Sequence, residues 1–361
     1  MNMRFCVPRV QGRGAGLGNE LIPWARAFLA AQLLDARVLP PAFGLNSRRY
    51  WRHFGTPRFD WVANRVLQFA LPVVEFKEAD YLAHGGGDFV AAFRTFANAN
   101  ALHTRSSYVL VTEGMWGGYR HIAAARDFMF SVLYQSRFAA RNLLRIYERL
   151  NPDKVTVAMH VRLGDFGAAP SDLGAYRGKF NLALPLAWYR SIARSIQQTL
   201  GDSVQFLIVS DGSAEQLKPL LDGLDATTTS DIEDSDCSDL LALAKADLLI
   251  CSVSSFSTTA AFISNAPYVW FEPNLQRHDG RLYSIWGHEP AQQAATGCTQ
   301  RALQSHLSGS NLENGRGIPI GIAGELPADL LSELLATKRM ANISADLVYY
   351  GVAPIVDTTA H

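Results

Sequence analysis

Apolar residues in the second half of the chain come in short continuous runs, separated by stretches with helical spacing. The run Val155-Thr156-Val157-Ala158-Met159-His160-Val161 follows the turn signal Asn151-Pro152-Asp153 and ends in a polar loop, which predicts a buried strand. Similar runs at Val204 to Ser210, Asp247 to Val253 and Pro267 to Phe271 predict three more strands. Helical patterns lie between and beside them at Pro185 to Leu200, Ala214 to Leu221, Asp239 to Ala246 and Ser255 to Ile263. Such alternation predicts a parallel, doubly wound sheet. The first half opens the same way, with a strand from Met3 to Val10, a glycine loop from Gly12 to Gly18, a helix over Leu21 to Leu34 and a strand at Ala36 to Leu39. From Gly44 to Thr112 the chain is aromatic and arginine-rich, and only helices near Trp61 to Phe69 and Phe89 to Asn98 emerge. Arg126 to Leu150 predicts one helix, and Pro327 to Met340 another, with Asp329 in its first turn and Lys338 and Arg339 at its end.

A chain of 361 residues suits two domains of ordinary size. The expected division, at the Asn151-Pro152-Asp153 turn signal, is a first domain over 1–150, a second over 151–325, and a C-terminal helix and tail, 326–361, packing back across both. Hydrophobic residues make up 48% of the chain, enough for two substantial cores. Lys plus Arg and Asp plus Glu both number 33, so no global field draws the protein to nucleic acid or to an anionic membrane. Cys6, Cys237, Cys251 and Cys298 are far apart and form no Cys-x-x-Cys pair, which gives no zinc ribbon or dithiol centre. Residues 1–10 lack a signal-peptide core, and Leu21 to Leu34 is interrupted by Arg26 and Gln32. The expectation is a cytoplasmic protein with no membrane span, in which the sequon Asn342-Ile343-Ser344 carries little weight.

Three segments carry candidate chemistry. His160 and Arg162 are two residues apart and so share one face of their strand at its C-terminal end, where ligands bind in open α/β sheets. Arginine offers a planar fork of donors to phosphate, while a structural pairing of Arg162 with Asp165 accounts for the residues equally well. The glycine loop matches neither the dinucleotide fingerprint nor a Walker loop. It reads as a close-approach backbone with Asn19 and Glu20 at its mouth, or as a tight turn with Asn19 as cap. The third segment, Ser252-Val253-Ser254-Ser255-Phe256-Ser257, leads from a strand into a helix whose start favours phosphate; capping by Ser254 or Ser255 explains only one of its serines. Asp239, at the head of the preceding helix, suits a guanine edge, a ribose, or simply the helix dipole.

Gly16-Leu17-Gly18-Asn19-Glu20, His160-Val161-Arg162-Leu163-Gly164-Asp165 and Ser254-Ser255-Phe256-Ser257, in that order, resemble the three motifs of the metal-independent GDP-fucose fucosyltransferases, the superfamily of α1,2-, α1,6- and protein O-fucosyltransferases. The resemblance implies an α/β, GT-B fold, two Rossmann-like doubly wound domains facing across a cleft. It also implies that Arg162 grips the β-phosphate, that His160 lies beside the diphosphate and fucose, that Ser254, Ser255, Phe256 and Ser257 contact phosphate and sugar, that Asp239 binds guanine, and that Gly18, Asn19 and Glu20 reach toward the fucose. Where many members carry a second arginine, this chain has Leu163. Thr258-Thr259-Ala260-Ala261 are closer to the protein O-fucosyltransferase pattern, whereas the glycine loop and long helix are closer to the α1,2 group.

The expected function is an inverting transfer of fucose from GDP-fucose to a hydroxyl of a glycan or glycoconjugate, with no cofactor and no metal. Arg162 and the helix start stabilise the departing diphosphate, and Glu20, with Asp165 as second choice, takes the acceptor proton. Two rivals stand beside it. Asp234-Ser235-Asp236 matches the manganese-holding Asp-x-Asp of GT-A transferases, which would use another nucleotide sugar. Alternatively, the chain is a non-catalytic nucleotide-sugar binder on a transferase fold. Tyr50, Trp51, Arg52, His53, Trp61, Trp116 and Tyr119 are candidates for stacking on acceptor sugars, or ordinary core and surface residues.

Overall fold

The computed structural model describes residues 3–10, 15–43, 48–54, 57–84, 88–115, 119, 122–179, 181–278, 281–283, 290–291, 317–336, 338 and 343–352. Gly12, Gly14, Trp116, Cys298, Arg339 and Asn342 lie outside these residues, as does the side chain of Trp61. The chain forms two units, 1–132 and 133–361, each described by itself.

In the first unit, β1 (Met3–Arg9) leads into α1 (Leu17–Leu34) and β2 (Arg37–Val38), completing the expected βαβ start. Next come α2 (Pro57–Ala70), β3 (Val73–Phe76), α3 (Glu78–Ala83), α4 (Phe89–Ala99) and β4 (Ser107–Glu113). The four strands form a parallel sheet in the order β2-β1-β4-β3. β4 is buried from Tyr108 to Thr112, and α1 packs on β1 and β4. Phe76, Phe89, Phe93 and Phe96 form an aromatic cluster with centroids 4.8–6.2 Å apart. That cluster places four of the middle segment's aromatics in the core.

The unit boundary falls within α5 (Arg126–Tyr134), which is followed by α6 (Ala139–Tyr147). A single helix over Arg126 to Leu150 is therefore corrected to two. Ser136 and Arg137 interrupt it, and Asn142 on α6 donates to the carbonyls of Glu233 and Asp234 at 2.9 and 3.0 Å. α6 and the Asn151–Asp153 turn belong to the second unit.

There β5 (Val155–Val161), α7 (Leu186–Leu200), β6 (Val204–Ser210), α8 (Ala214–Leu221) and β7 (Ala226–Thr228) come first. They are followed by α9 (Asp236–Lys245), β8 (Leu248–Ile250), α10 (Ser255–Ile263) and β9 (Tyr268–Phe271). β10 (Gln276–His278), β11 (Arg281–Tyr283) and β12 (Pro290–Ala291) form an antiparallel trio. β13 (Gly317–Ile320), α11 (Ala328–Ala336) and α12 (Ile343–Tyr349) complete the unit. α11 ends at Ala336, so Lys338 lies beyond the helix that was expected to run to Met340.

The six-stranded parallel sheet runs β13-β9-β8-β5-β6-β7. From β5 the chain winds outward through β6 and β7, then returns to the other side of β5 through β8, β9 and β13. This is the doubly wound order, with its switch point between β5 and β8. Val155, Val157, Met159 and Val161 pack on one face with Trp188, Tyr189, Ile192 and the α11 leucines Leu330, Leu331 and Leu334. An α/β fold with two parallel sheets, of four and six strands, is thus established.

Candidate functional site

The alternation along β5 turns His160 away from that core and brings it, at the switch point, against the segment after β8. Three serine hydroxyls surround its Nδ1: Ser257 at 2.8 Å, Ser252 at 3.1 Å and Ser254 at 3.5 Å. The backbone N–H of Ser252 donates to Ser257 Oγ at 2.9 Å, which leaves the Ser257 proton free to donate to an unprotonated Nδ1. That arrangement satisfies both groups and places the ring proton on Nε2. Burial, with Arg162 nearby, holds His160 well below the usual histidine range, so the ring is neutral. Tyr189 donates to the His160 carbonyl at 2.9 Å, and the Phe256 ring lies 4.9 Å from the imidazole.

Ser254 is the N-cap of α10, its hydroxyl accepting from Ser257 N at 3.3 Å. Capping therefore occupies Ser254, whereas Ser252 and Ser257 serve His160. The first-turn N–H groups of Ser255 and Phe256 have no acceptor within the helix, the arrangement that suits an anion.

Arg162 is held by two carboxylates. Its Nη2 pairs with Asp165 Oδ1, as the pairing reading expected, and its Nη1 lies 3.0 Å from Asp211 Oδ2. Asp211 also accepts from Leu163 N at 2.8 Å. The guanidinium lies 4.8 Å over the Phe166 ring, and its buried Nε has no hydrogen-bond partner. Gly164 is required by this packing, because a Cβ there would stand 2.6 Å from Asp211 Oδ2. Leu163 packs against the core and against Gly212. Asp211 was not among the expected site residues, although Ser210-Asp211-Gly212 ends β6 just as Arg162 follows β5, and the same strand-end reasoning reaches it.

Asp239 lies in the first turn of α9, which starts at Asp236, three residues earlier than expected; α9 packs beside α10. Its side chain is buried. Ser235 donates to Oδ2 at 2.6 Å, and Oδ1 has no partner in normal hydrogen-bond geometry. Burial pushes this carboxyl up to about 7, with Ser235 and Thr229 partly opposing the shift. The Asp234-Ser235-Asp236 run is used locally, its Ser235 on Asp239 and the Asp234 carbonyl on Asn142. Among the described residues no group of three His, Cys, Asp or Glu could hold a metal ion.

In the first unit, Gly16 rather than Asn19 is the N-cap of α1, because the helix begins at Leu17. Gly18 is buried, and Asn19 Oδ1 is buried without a hydrogen-bond partner. Glu20 lies in the first turn, where its charge complements the helix dipole. Tyr50, His53 and Tyr119 are buried as core, while Trp51 and Arg52 are half-buried. Cys6, Cys237 and Cys251 are buried. Among the described residues no helix is long and apolar enough to cross a membrane.

No protein-family model and no curated protein matches the chain. Among solved structures, the E. coli heptosyltransferase WaaC with ADP is similar at a TM-score of 0.41 and 12% identity, over 92% of this chain and 99% of that one. The glycotransferase of kitacinnamycin is similar at a TM-score of 0.31 and 12% identity, over 98% and 97%. At such low values these likenesses leave the functional reading to rest on the site itself.

Proposed function

We propose that the protein is an inverting glycosyltransferase of the GT-B type that transfers fucose from GDP-fucose to a hydroxyl of a glycan or glycoconjugate. The observation that carries this reading is the cluster at the switch point: a neutral His160 held by Ser252 and Ser257, next to the start of α10, with Arg162 at the end of the adjoining strand. In this role the diphosphate meets Arg162 and the open N–H groups of Ser255 and Phe256. These are preorganised donors aimed at the charge that develops as the bond to the sugar breaks. Arg162 then exchanges carboxylate contacts for phosphate oxygens, and Asp211 keeps it oriented through the backbone of Leu163. Asp239 Oδ1, without a partner in normal hydrogen-bond geometry, suits an N–H donor of a guanine edge. Glu20 is the proposed proton acceptor, with Asp165 second. The reading requires no metal.

Leu163 favours a second reading, in which the donor is a different nucleotide sugar. It takes the place of a possible second phosphate contact and is committed to packing against Gly212. Thermal unfolding in the presence of GDP, UDP and dTDP separates the two. A ligand far above its dissociation constant stabilises by about 2–4 kcal/mol, so GDP alone should raise the melting temperature by several degrees. Equal protection by UDP removes the GDP-fucose assignment, and protection without sugar transfer or hydrolysis identifies a non-catalytic binder.

A further inference from the structure

A surface helix of ordinary design turns its polar side chains outward. α2, over its described side chains from Val62 onward, also turns apolar ones outward. Its inner face carries Asn64, which donates to the Pro40 carbonyl at 3.2 Å, and Leu67, which packs against Val7, Val109 and Val111. Its outer face carries Val62, Val66 and Phe69, exposed by 50%, 57% and 95%, and Val73 at the start of β3 extends the line. At 3.6 residues per turn the three helical positions fall within a sector of about 60°. Isolated exposed apolar residues are commonplace, whereas a contiguous stripe marks a contact surface.

Charge selects what covers it. The neutral total conceals a split: residues 1–132 carry 15 Lys and Arg against 9 Asp and Glu, and residues 133–361 carry 18 against 24. In sequence the excess is concentrated around this helix: the segment 48–70 holds Arg48, Arg49, Arg52, Arg58 and Arg65 with Asp60 as its one acid. Helix periodicity sets Arg65 along the stripe's border. Two-fold pairing of a second copy through this face would bring the same arginines toward each other. An apolar stripe bordered by arginine on a basic unit instead matches the boundary between headgroups and acyl chains of an acidic bilayer.

We propose that α2 is an interfacial docking helix, with Val62, Val66 and Phe69 entering the headgroup boundary of an anionic membrane and the neighbouring arginines engaging its acidic lipids. The surface is independent of the donor assignment and stands or falls without it. The test is co-sedimentation of the full chain with phosphatidylglycerol-rich or pure phosphatidylcholine vesicles. Binding to the anionic vesicles should exceed binding to the neutral ones, weaken at high salt, and fall about tenfold in the Val66→Ser/Phe69→Ser double variant. Leu335→Ser, at an exposed apolar position of the second unit, should leave binding unchanged. The substituted α2 side chains are exposed, so unaltered circular dichroism melts confirm that the variants fold. Three results would overturn the proposal: no preference for anionic vesicles, undiminished binding of the double variant, or a concentration-dependent dimer lost in that variant without any vesicle binding.

Discussion

The two units are built on the same parallel-sheet plan and differ in what they do with their side chains. The second buries its strands on both faces, is acidic, and assembles at one strand edge a group of polar residues that neutralise one another. The first is basic, gathers four phenylalanines into a core cluster, and leaves apolar side chains of one helix exposed to solvent. Equal totals of acid and base therefore say nothing about either unit. A field that vanishes at a distance can still be strong where a partner docks.

The largest effects are expected where the second unit's core meets its site. Trp188 is fully buried, lies edge-on to Tyr189 and Phe271 at 4.9 and 5.1 Å, and donates to the Gly321 carbonyl at 2.9 Å. Trp188→Ala should cost about 3–5 kcal/mol in urea unfolding, and a loss near zero would show that α7 is not the keystone of this core. Arg162→Ala should lower turnover of the donor about 10²–10³-fold, with little change in melting temperature because its carboxylate partners remain partly hydrated. The opposite pattern, lost stability with normal turnover, would make the Asp165 and Asp211 contacts a structural clamp and nothing more.

How much of this was legible depends on burial. The strands β5 and β6 are continuous apolar runs and were read with the ends they have, because a strand covered on both faces needs no polar alternation. β3 and β4 were not seen in the aromatic segment, since a four-residue edge strand and a strand beside a phenylalanine cluster give no period distinct from their helices. In the site, the face shared by His160 and Arg162 followed from two-residue spacing. The dual carboxylate grip on Arg162 did not, because Asp211 is 48 residues from Leu163 in the chain and reaches it only through the pairing of β5 with β6. The break between α5 and α6 was likewise set by a tertiary contact, Asn142 with the loop before α9, that no local pattern announces.

An intermediate effect separates the buried Asp239 from the second unit's hydrated acids. With its folded value raised to about 7 from an ordinary 3.8, Asp239 binds its proton more tightly in the folded than in the unfolded state. Stability is therefore full, with no charge-burial penalty, below about pH 4, and is lost as pH rises from there through about 7, to an upper bound of about 4 kcal/mol. Asp239→Asn resembles the protonated form, so its melting temperature relative to the parent should be flat below pH 4 and climb up to pH 8. A difference independent of pH would mean that the carboxyl ionises normally.

The smallest effect concerns the first unit and bears on why its outer helix is apolar. Phe69 is 95% exposed, so it contributes almost no buried area to the isolated fold, whereas Phe93 on α4 is fully buried beside Phe76 and Phe89. Phe69→Ser should change unfolding free energy by less than about 0.5 kcal/mol, and Phe93→Ala by about 3–5 kcal/mol. Should Phe69→Ser prove as costly as Phe93→Ala, the stripe is part of the core and its exposure has no bearing on a partner. If the pair divides as expected, folding does not explain the phenylalanine, and the contact that does must come from outside the unit.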